Sequence, residues 1–293
     1  AMPSTQTAPT LAVALLTPLD AIAARFAPPR VRRLHIPADA PGDAGGPKDA
    51  KFCAIELDDG AFGLSYILLG DTLNALTRAH PGTSAAPLSG ADPLRLAHQF
   101  ADGSPVERAV ALAAVNALTD SVWRQTGYTP PAAGNSLGDM QLGPGDPLGM
   151  IGFFPPLVRQ VQAMGGRLSV LELDDAMVRR QQARFPDVHI TLDRTALATC
   201  NKVVGTSTML LNDTLDAMLG AAPQASDFAV IGPSAGLWPD TLFARGVTLL
   251  GGTRVVDGPA LVDAMARGAP WSAATRKFAI ARRDWPGWEK VLR

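Results

Sequence analysis

Cysteine is the first thing this chain lacks. Cys53 and Cys200 lie far apart and form no Cys-x-x-Cys pair, so neither a disulfide framework nor a zinc-type knot holds the fold together, and a reducing compartment is expected. Histidine is nearly as sparse: His35, His80, His98 and His189 show no HxH or HxxxH spacing, which leaves soft metals without a sequence-local ligand set. Charge is low as well. Charged residues make up 18% and the net charge is −1, so there is no electrostatic case for nucleic acid or an anionic membrane surface. No apolar run approaches the roughly 18 residues of a membrane span, and no basic leader precedes the short apolar segment near the start. The expectation is a cytoplasmic protein with no membrane partner. The chemical motifs are missing too: there is no GxSxG elbow, HExxH, P-loop or GxGxxG. No catalytic residue declares itself, and whether the chain is an enzyme stays open at this point.

What is present is apolar and long. Hydrophobic residues reach 47% over 293 residues, enough for a large core and more in keeping with two domains than one. A helix is expected over 10–26, kinked or split by Pro18. Strands at 31–36, 51–57 and 61–69, the last two joined by Asp58-Asp59-Gly60, read as an antiparallel meander. A Gly- and Pro-rich connection fills 38–51. A polar, Pro-containing stretch then leads to a helix at 107–123 that is apolar on nearly every side and must be buried. Ser104, Pro105 and Glu107 spell its capping box. Asn116 sits inside this helix, where an unpaired amide costs about 1–3 kcal/mol, so it needs either a backbone partner or a ligand.

Residues 126–147 are dense in Gly, Pro and Asn and read as an interdomain linker. Beyond them strands at 148–153, 168–173, 188–192 and 202–205 alternate with helices at 155–164, 176–185 and 212–219. Two further strands at 228–231 and 247–250 flank a short helix at 239–246. Alternation of this kind builds a parallel sheet, whose ligands gather at the carboxyl ends of the strands. Gly152 and Phe153 open the first of those loops. Glu172 follows near the usual place of a ribose-binding acid. Thr206, Ser207 and Thr208 form a hydroxyl-rich turn running into a helix started by Asn212, a natural anion site, and Gly232, Pro233 and Ser234 close the last loop. These residues, with Asn116 presented from the first half, are the expected ligand-binding set.

Three segments, GFFPPLV at 152–158, GTSTMLLNDTLD at 205–216 and IGPSAGLWPDTLFARGVTLLGGTRVVD at 231–257, together resemble a family known as putative heavy-metal chelation, long a domain of unknown function. Gly63-Leu64-Ser65 and the helix ERAVALAAVNAL resemble its companion domain. The resemblance implies an α/β protein: an enolase N-terminal-like α+β domain at 10–125, a linker at 126–145, and a Rossmann-like parallel-sheet domain at 146–293. It also implies a ligand cleft between the two domains and a role in metal or tetrapyrrole metabolism. The one departure is Met209, where the family pattern has a hydroxyl residue. The expected partner is a small anionic or metal-chelating metabolite; the cofactor is left unassigned between a divalent metal and S-adenosylmethionine, and self-association is open. The alternative is an enzyme using S-adenosylmethionine in the Rossmann-like half.

Overall fold

The computed structural model describes residues 8–38, 51–81, 86–134 and 140–293. In the first half, α1 (Leu11–Arg25) is capped by Thr10, whose hydroxyl accepts the Val13 N–H at 3.3 Å. Pro18 does not split it. Proline's missing N–H would strand the Ala14 carbonyl, and the hydroxyl of Thr241, 227 residues away in sequence, donates to that carbonyl at 3.0 Å. The helix defect is thus a docking point for the second half. Strands β1 (Val31–His35), β2 (Phe52–Leu57) and β3 (Phe62–Tyr66) pair antiparallel in chain order, as a meander should, with Gly60 at φ +86° in the tight turn. The expected connection at 38–51 lies almost wholly outside the described residues. The polar, Pro-containing stretch, for which no element was expected, holds two short helices, α2 (Thr72–Ala79) and α3 (Pro93–Asp102).

The longest helix, α4 (Pro105–Thr126), carries the capping box of Ser104 and Glu107 and is buried without a break from Ala109 to Trp123. One side lies against the meander so closely that a Cβ at Gly63 would overlap the backbone at Ala113 and Ala117. Its other side joins the second half in one apolar core, which runs from Leu112, Leu118 and Trp123 to Leu210, Leu242 and Phe278.

That second half is a seven-stranded mixed sheet. It contains β4 (Leu148–Ile151), β5 (Leu168–Leu171), β6 (His189–Thr191), β7 (Lys202–Thr206), β8 (Asp227–Ile231), β9 (Leu249–Val255) and β10 (Thr275–Ala281), in the spatial order β10-β9-β8-β7-β4-β5-β6. All pairs are parallel except β9 with β10. Helices α5 (Pro155–Ala163), α6 (Asp175–Arg184), α7 (Leu215–Ala221), α8 (Asp240–Arg245) and α9 (Gly258–Ala266) connect or follow the strands, and α10 (Trp288–Val291) ends the chain. Strand order reverses between β4 and β7, which opens a crevice at their carboxyl ends. The strand expected to end at 250 continues through Gly251 and Gly252 inside β9: Gly252 pairs with Phe278 of β10, and a Cβ there would strike the Phe278 ring. The helix expected from Asn212 begins only at Leu215. Of the stretch read as a linker, Pro131 and Ala133 hydrogen-bond along β10 to Ala279 and Lys277, and Tyr128 packs between Trp123 and Trp285. Pro and Gly remove the hydrophobic pattern there but leave extended backbone free to pair with a sheet edge. Among the described residues no helix is long and apolar enough to cross a membrane.

The Pro18–Thr241 link makes a direct test. Thr241→Val should cost about 1 kcal/mol in chemical denaturation by leaving the Ala14 carbonyl unpaired. In a Pro18→Ala background, where residue 18 can donate to Ala14 itself, the same change should cost clearly less. Equal costs in both backgrounds would refute the pairing.

Candidate functional site

The paired residues Leu171, Ile151 and Gly205 end a row across β5, β4 and β7. One residue further along each strand come Glu172, Gly152 and Thr206, so these three stand side by side at the crevice. Neighbouring strands are about 4.8 Å apart. Gly152 turns the chain at φ +80°, a conformation that favours glycine, and its N–H donates to the Leu171 carbonyl at 2.9 Å. A Cβ there would lie 2.6 Å from Thr206 Cγ2, so the threonine occupies the space the glycine leaves. On the far side of β7, Gly232 donates to the Gly251 carbonyl at 2.9 Å, and a Cβ on it would overlap the Ser207 hydroxyl. The loops after β4, β7 and β8 therefore interlock through glycines against hydroxyl residues. Phe153 turns its ring onto Phe185, with centroids 5.1 Å apart, so it packs against the sheet's helical cover.

Glu172 is the anomaly of this row. It is only 6% exposed, and neither carboxyl oxygen makes a hydrogen bond of full geometry, although the Leu173 N–H lies near enough to favour the charged form. Burial raises its pKa above the ordinary value, with the nearby Asp174 charge acting in the same direction; the Leu173 backbone N–H and Arg180 oppose the rise more weakly. Other carboxylates nearby are committed. Asp174 accepts the Met177 N–H at 2.8 Å and Asp193 the Thr195 N–H at 3.0 Å, both capping the turns that follow them. Buried polar groups in folded proteins are rarely left unpaired without a functional reason.

The other expected residues divide into two groups. Thr208 uses its backbone carbonyl to accept from Leu211 and Asn212 at 2.9 and 3.1 Å. Asn212 Oδ1 accepts the Thr214 hydroxyl at 2.6 Å, and Asp213, at φ +56°, is held by both guanidinium ends of Arg108 at 2.8 and 2.7 Å. Asn212 therefore closes a local turn and starts no helix, because the Arg108 contact across 105 residues fixes a left-handed backbone at Asp213. The hydroxyl turn itself is the 3-10 segment Ser207–Leu210. Asn116 and Ser234 do meet, but in the joint between the halves. The Asn116 amide donates to the Leu64 and Ser234 carbonyls at 2.9 and 2.8 Å, and Ser234 Oγ accepts the Tyr66 N–H at 2.9 Å. Pro233 opens the short turn that makes this possible.

The same joint holds a buried ionic cluster the sequence did not announce. Asp120, one helical turn beyond Asn116, accepts from Arg254 Nε at 3.0 Å, from Arg124 Nε at 2.9 Å and from the Phe62 N–H at 3.1 Å. The Arg124–Asp120 spacing of four is a helix-surface signal. Arg254 comes from β9 and had no local clue.

A heavy-metal cage made by the chain does not fit the described residues, among which no three His, Cys, Asp or Glu side chains gather. Burial pushes the Cys53 thiol up to about 12 and raises that of Cys200, the opposite of what a thiolate ligand needs.

Glu172 yields a pH test. Its folded-state pKa is raised, so the unfolded chain ionises more readily, and stability is lost as pH rises from the ordinary 4.5 through the folded value. Glu172→Gln should melt above the wild type at neutral pH, and the gain should vanish below about pH 4.5. A variant less stable than the wild type at neutral pH would show that the carboxylate is paired after all.

Comparison with known proteins agrees with this architecture. A profile described as "Putative heavy-metal chelation" matches residues 136–283, half of the chain, and a second of the same description matches 50–119. No curated protein matches. A crystal structure of a protein of unknown function from the DUF364 family of Pyrococcus horikoshii superposes with a TM-score of 0.63 at 17% identity, covering 93% of this chain and all of that one. A DUF364 protein of unknown function from Desulfitobacterium hafniense gives 0.62 at 20% identity, covering 86% and 91%. At such identities the likeness shows the fold, and the profile over half the chain places this protein in the family described as putative heavy-metal chelation.

Proposed function

We propose that this protein binds a small anionic or metal-chelating metabolite in a cleft at the carboxyl ends of β4, β5 and β7, and that a metal enters as cargo held by that molecule. The observation carrying this reading is Glu172, a buried carboxyl with no hydrogen bond of full geometry on either oxygen, in one row with the glycine turn at Gly152 and with Thr206, from which Ser207 and Thr208 continue the loop after β7. A dry site of this kind strengthens each hydrogen bond made to a ligand, and hydroxyls with backbone amides hold an anion without net charge. Metal or tetrapyrrole metabolism is the setting proposed, in the cytoplasm.

The strand order supports describing 146–293 as Rossmann-like, since β6-β5-β4-β7-β8-β9 follows the doubly wound sequence 3-2-1-4-5-6. The meander with α2, α3 and α4 is the enolase N-terminal-like part over 10–125, and 126–145 is the link between them. The inner wall of the cleft is the joint of Asn116, Gly232, Pro233 and Ser234, which ties its position to α4. The S-adenosylmethionine alternative draws no support from the comparisons.

Native mass spectrometry tests the reading. The protein incubated with the small-molecule fraction of a cell extract should carry a small-molecule mass increment. Thr206→Val, which loses a hydroxyl and keeps the shape, should carry less of it. Bare protein after that exposure would contradict the proposal.

A further inference from the structure

Three arginines meet at the far end of β9, and one carboxylate answers them. Arg254 of β9 and Arg276 of β10 stand directly opposite each other, so their side chains leave the same face of the sheet with Cβ atoms about 5 Å apart. Like charges so placed are destabilising. Arg124, in the last turn of α4, joins them by donating to the Val255 carbonyl at 2.8 Å. Asp120 takes Arg254 and Arg124 through their Nε atoms, and among the described residues no other carboxylate is bonded to any of the three. Asp59 and Asp257, in neighbouring turns, are spent on the Ser121 hydroxyl at 2.6 Å and the Ala260 N–H at 3.0 Å. Three guanidinium charges against one bonded carboxylate leave an excess of two. The way Arg254 is held matters as much as the count. Asp120 engages it by Nε alone, so its two terminal nitrogens have no partner among the described residues, and the side chain keeps 19% exposure. Arg276 is exposed and spends one nitrogen on the adjacent Thr275 carbonyl. Beside Arg254 a crevice between the halves, walled by Phe62, Leu64, Trp123 and Phe278, has room for about one water-sized group. One oxygen of a compact anion fits there, and a ring does not.

We propose that Arg124, Arg254 and Arg276 form a second binding site, for a phosphate group, which bridges β9 and β10 to α4. Guanidinium forks match phosphate oxygens in pairs, and a phosphate group carries close to two negative charges at neutral pH, the excess this cluster holds. A carboxylate supplies only one. Asp120 is the positioning residue: it fixes the Nε side of Arg254 and Arg124 and turns their remaining donors outward. The site is separate from the ligand cleft. Thr206, Ile231 and Gly251 lie in one row across β7, β8 and β9, and Arg254 comes three residues after Gly251, so it stands about 10 Å across the strands and about 10 Å further along from Thr206. The inference therefore does not rest on the function proposed above. A bound phosphate removes the repulsion between Arg254 and Arg276, so occupancy also tightens the joint between the halves.

Calorimetry with inorganic phosphate at constant ionic strength, chloride making up the difference, tests this. The wild type should bind one phosphate saturably, and acetate at least about tenfold more weakly because it brings one charge in place of two. Arg276→Gln leaves the Asp120 pairs intact and should weaken phosphate about fivefold. In chloride alone at low ionic strength it should melt no lower than the wild type, because the cross-strand repulsion is gone. Thr206→Val should bind phosphate as the wild type does. Glycerol 3-phosphate separates the two sources of the group: tighter binding than inorganic phosphate assigns the site to a phosphate carried on a small molecule, equal or weaker binding to the free ion, and either accords with the proposal. No saturable phosphate binding, acetate bound as tightly as phosphate, or an affinity unchanged in Arg276→Gln overturns it, as does a lower melting point of that variant in chloride. If Thr206→Val abolishes phosphate binding and Arg276→Gln does not, the anion sits in the ligand cleft and the second site fails.

Discussion

The Asn116 amide, with one N–H on a carbonyl of each half, is the constraint on which the rest of this molecule depends. Buried at 2% exposure, its two donors join the Leu64 carbonyl of the meander to the Ser234 carbonyl of the turn after β8. Around it α4 is buried on all sides, so the helix serves as core for both sheets. One turn further on, Asp120 gathers two arginines and a backbone N–H from three elements. A charge taken out of water is tolerated only when so fully paired, and its pairing sets how the meander sits against β9. The halves cannot shift without leaving one of these groups unpaired, at a cost of several kcal/mol.

That rigidity explains the character of the site. The loops after β4, β7 and β8 are locked by glycines pressed against Thr206 and Ser207, and the turn after β8 is tied to α4 through Ser234. Other buried polar atoms in the joint, Asn116 Oδ1 and Ser65 Oγ among them, also lack a partner, but Glu172 is the one buried residue with both carboxyl oxygens so placed among the described residues, a cost in stability of the kind functional sites carry. It also bears on the family's description. The described residues offer no metal cage, and the thiols are held protonated, so on the function proposed above a metal would enter with the molecule bound in the cleft.

Much of this was legible where the cause was local. The capping box at Ser104 and Glu107, the turn at Gly60 and the parallel alternation from Leu148 onward follow from neighbours in sequence, and the acid at position 172 was found by its spacing from Gly152. What was missed had nonlocal causes. Pro18 breaks no helix because Thr241 repairs it. Asn212 starts no helix because Arg108 holds Asp213. Gly252 lies within a strand because the Phe278 ring needs its space, and Gly251 beside it because Ile231 packs close on that side. The ionic cluster at Asp120 needed Arg254, 134 residues away. Spacing could nominate Glu172, but only the fold shows that its oxygens make no hydrogen bond of full geometry.

The central claim is therefore that Glu172 is kept dry and unpaired at the strand ends. The most direct measurement is a carbon-13 NMR titration of its side-chain carboxyl in ligand-free protein, assigned by the resonance lost in Glu172→Gln. The account requires a midpoint above the ordinary glutamate value of 4.5. A midpoint at or below 4.5 would mean that the carboxylate is solvated or paired, and the site would have to be sought elsewhere.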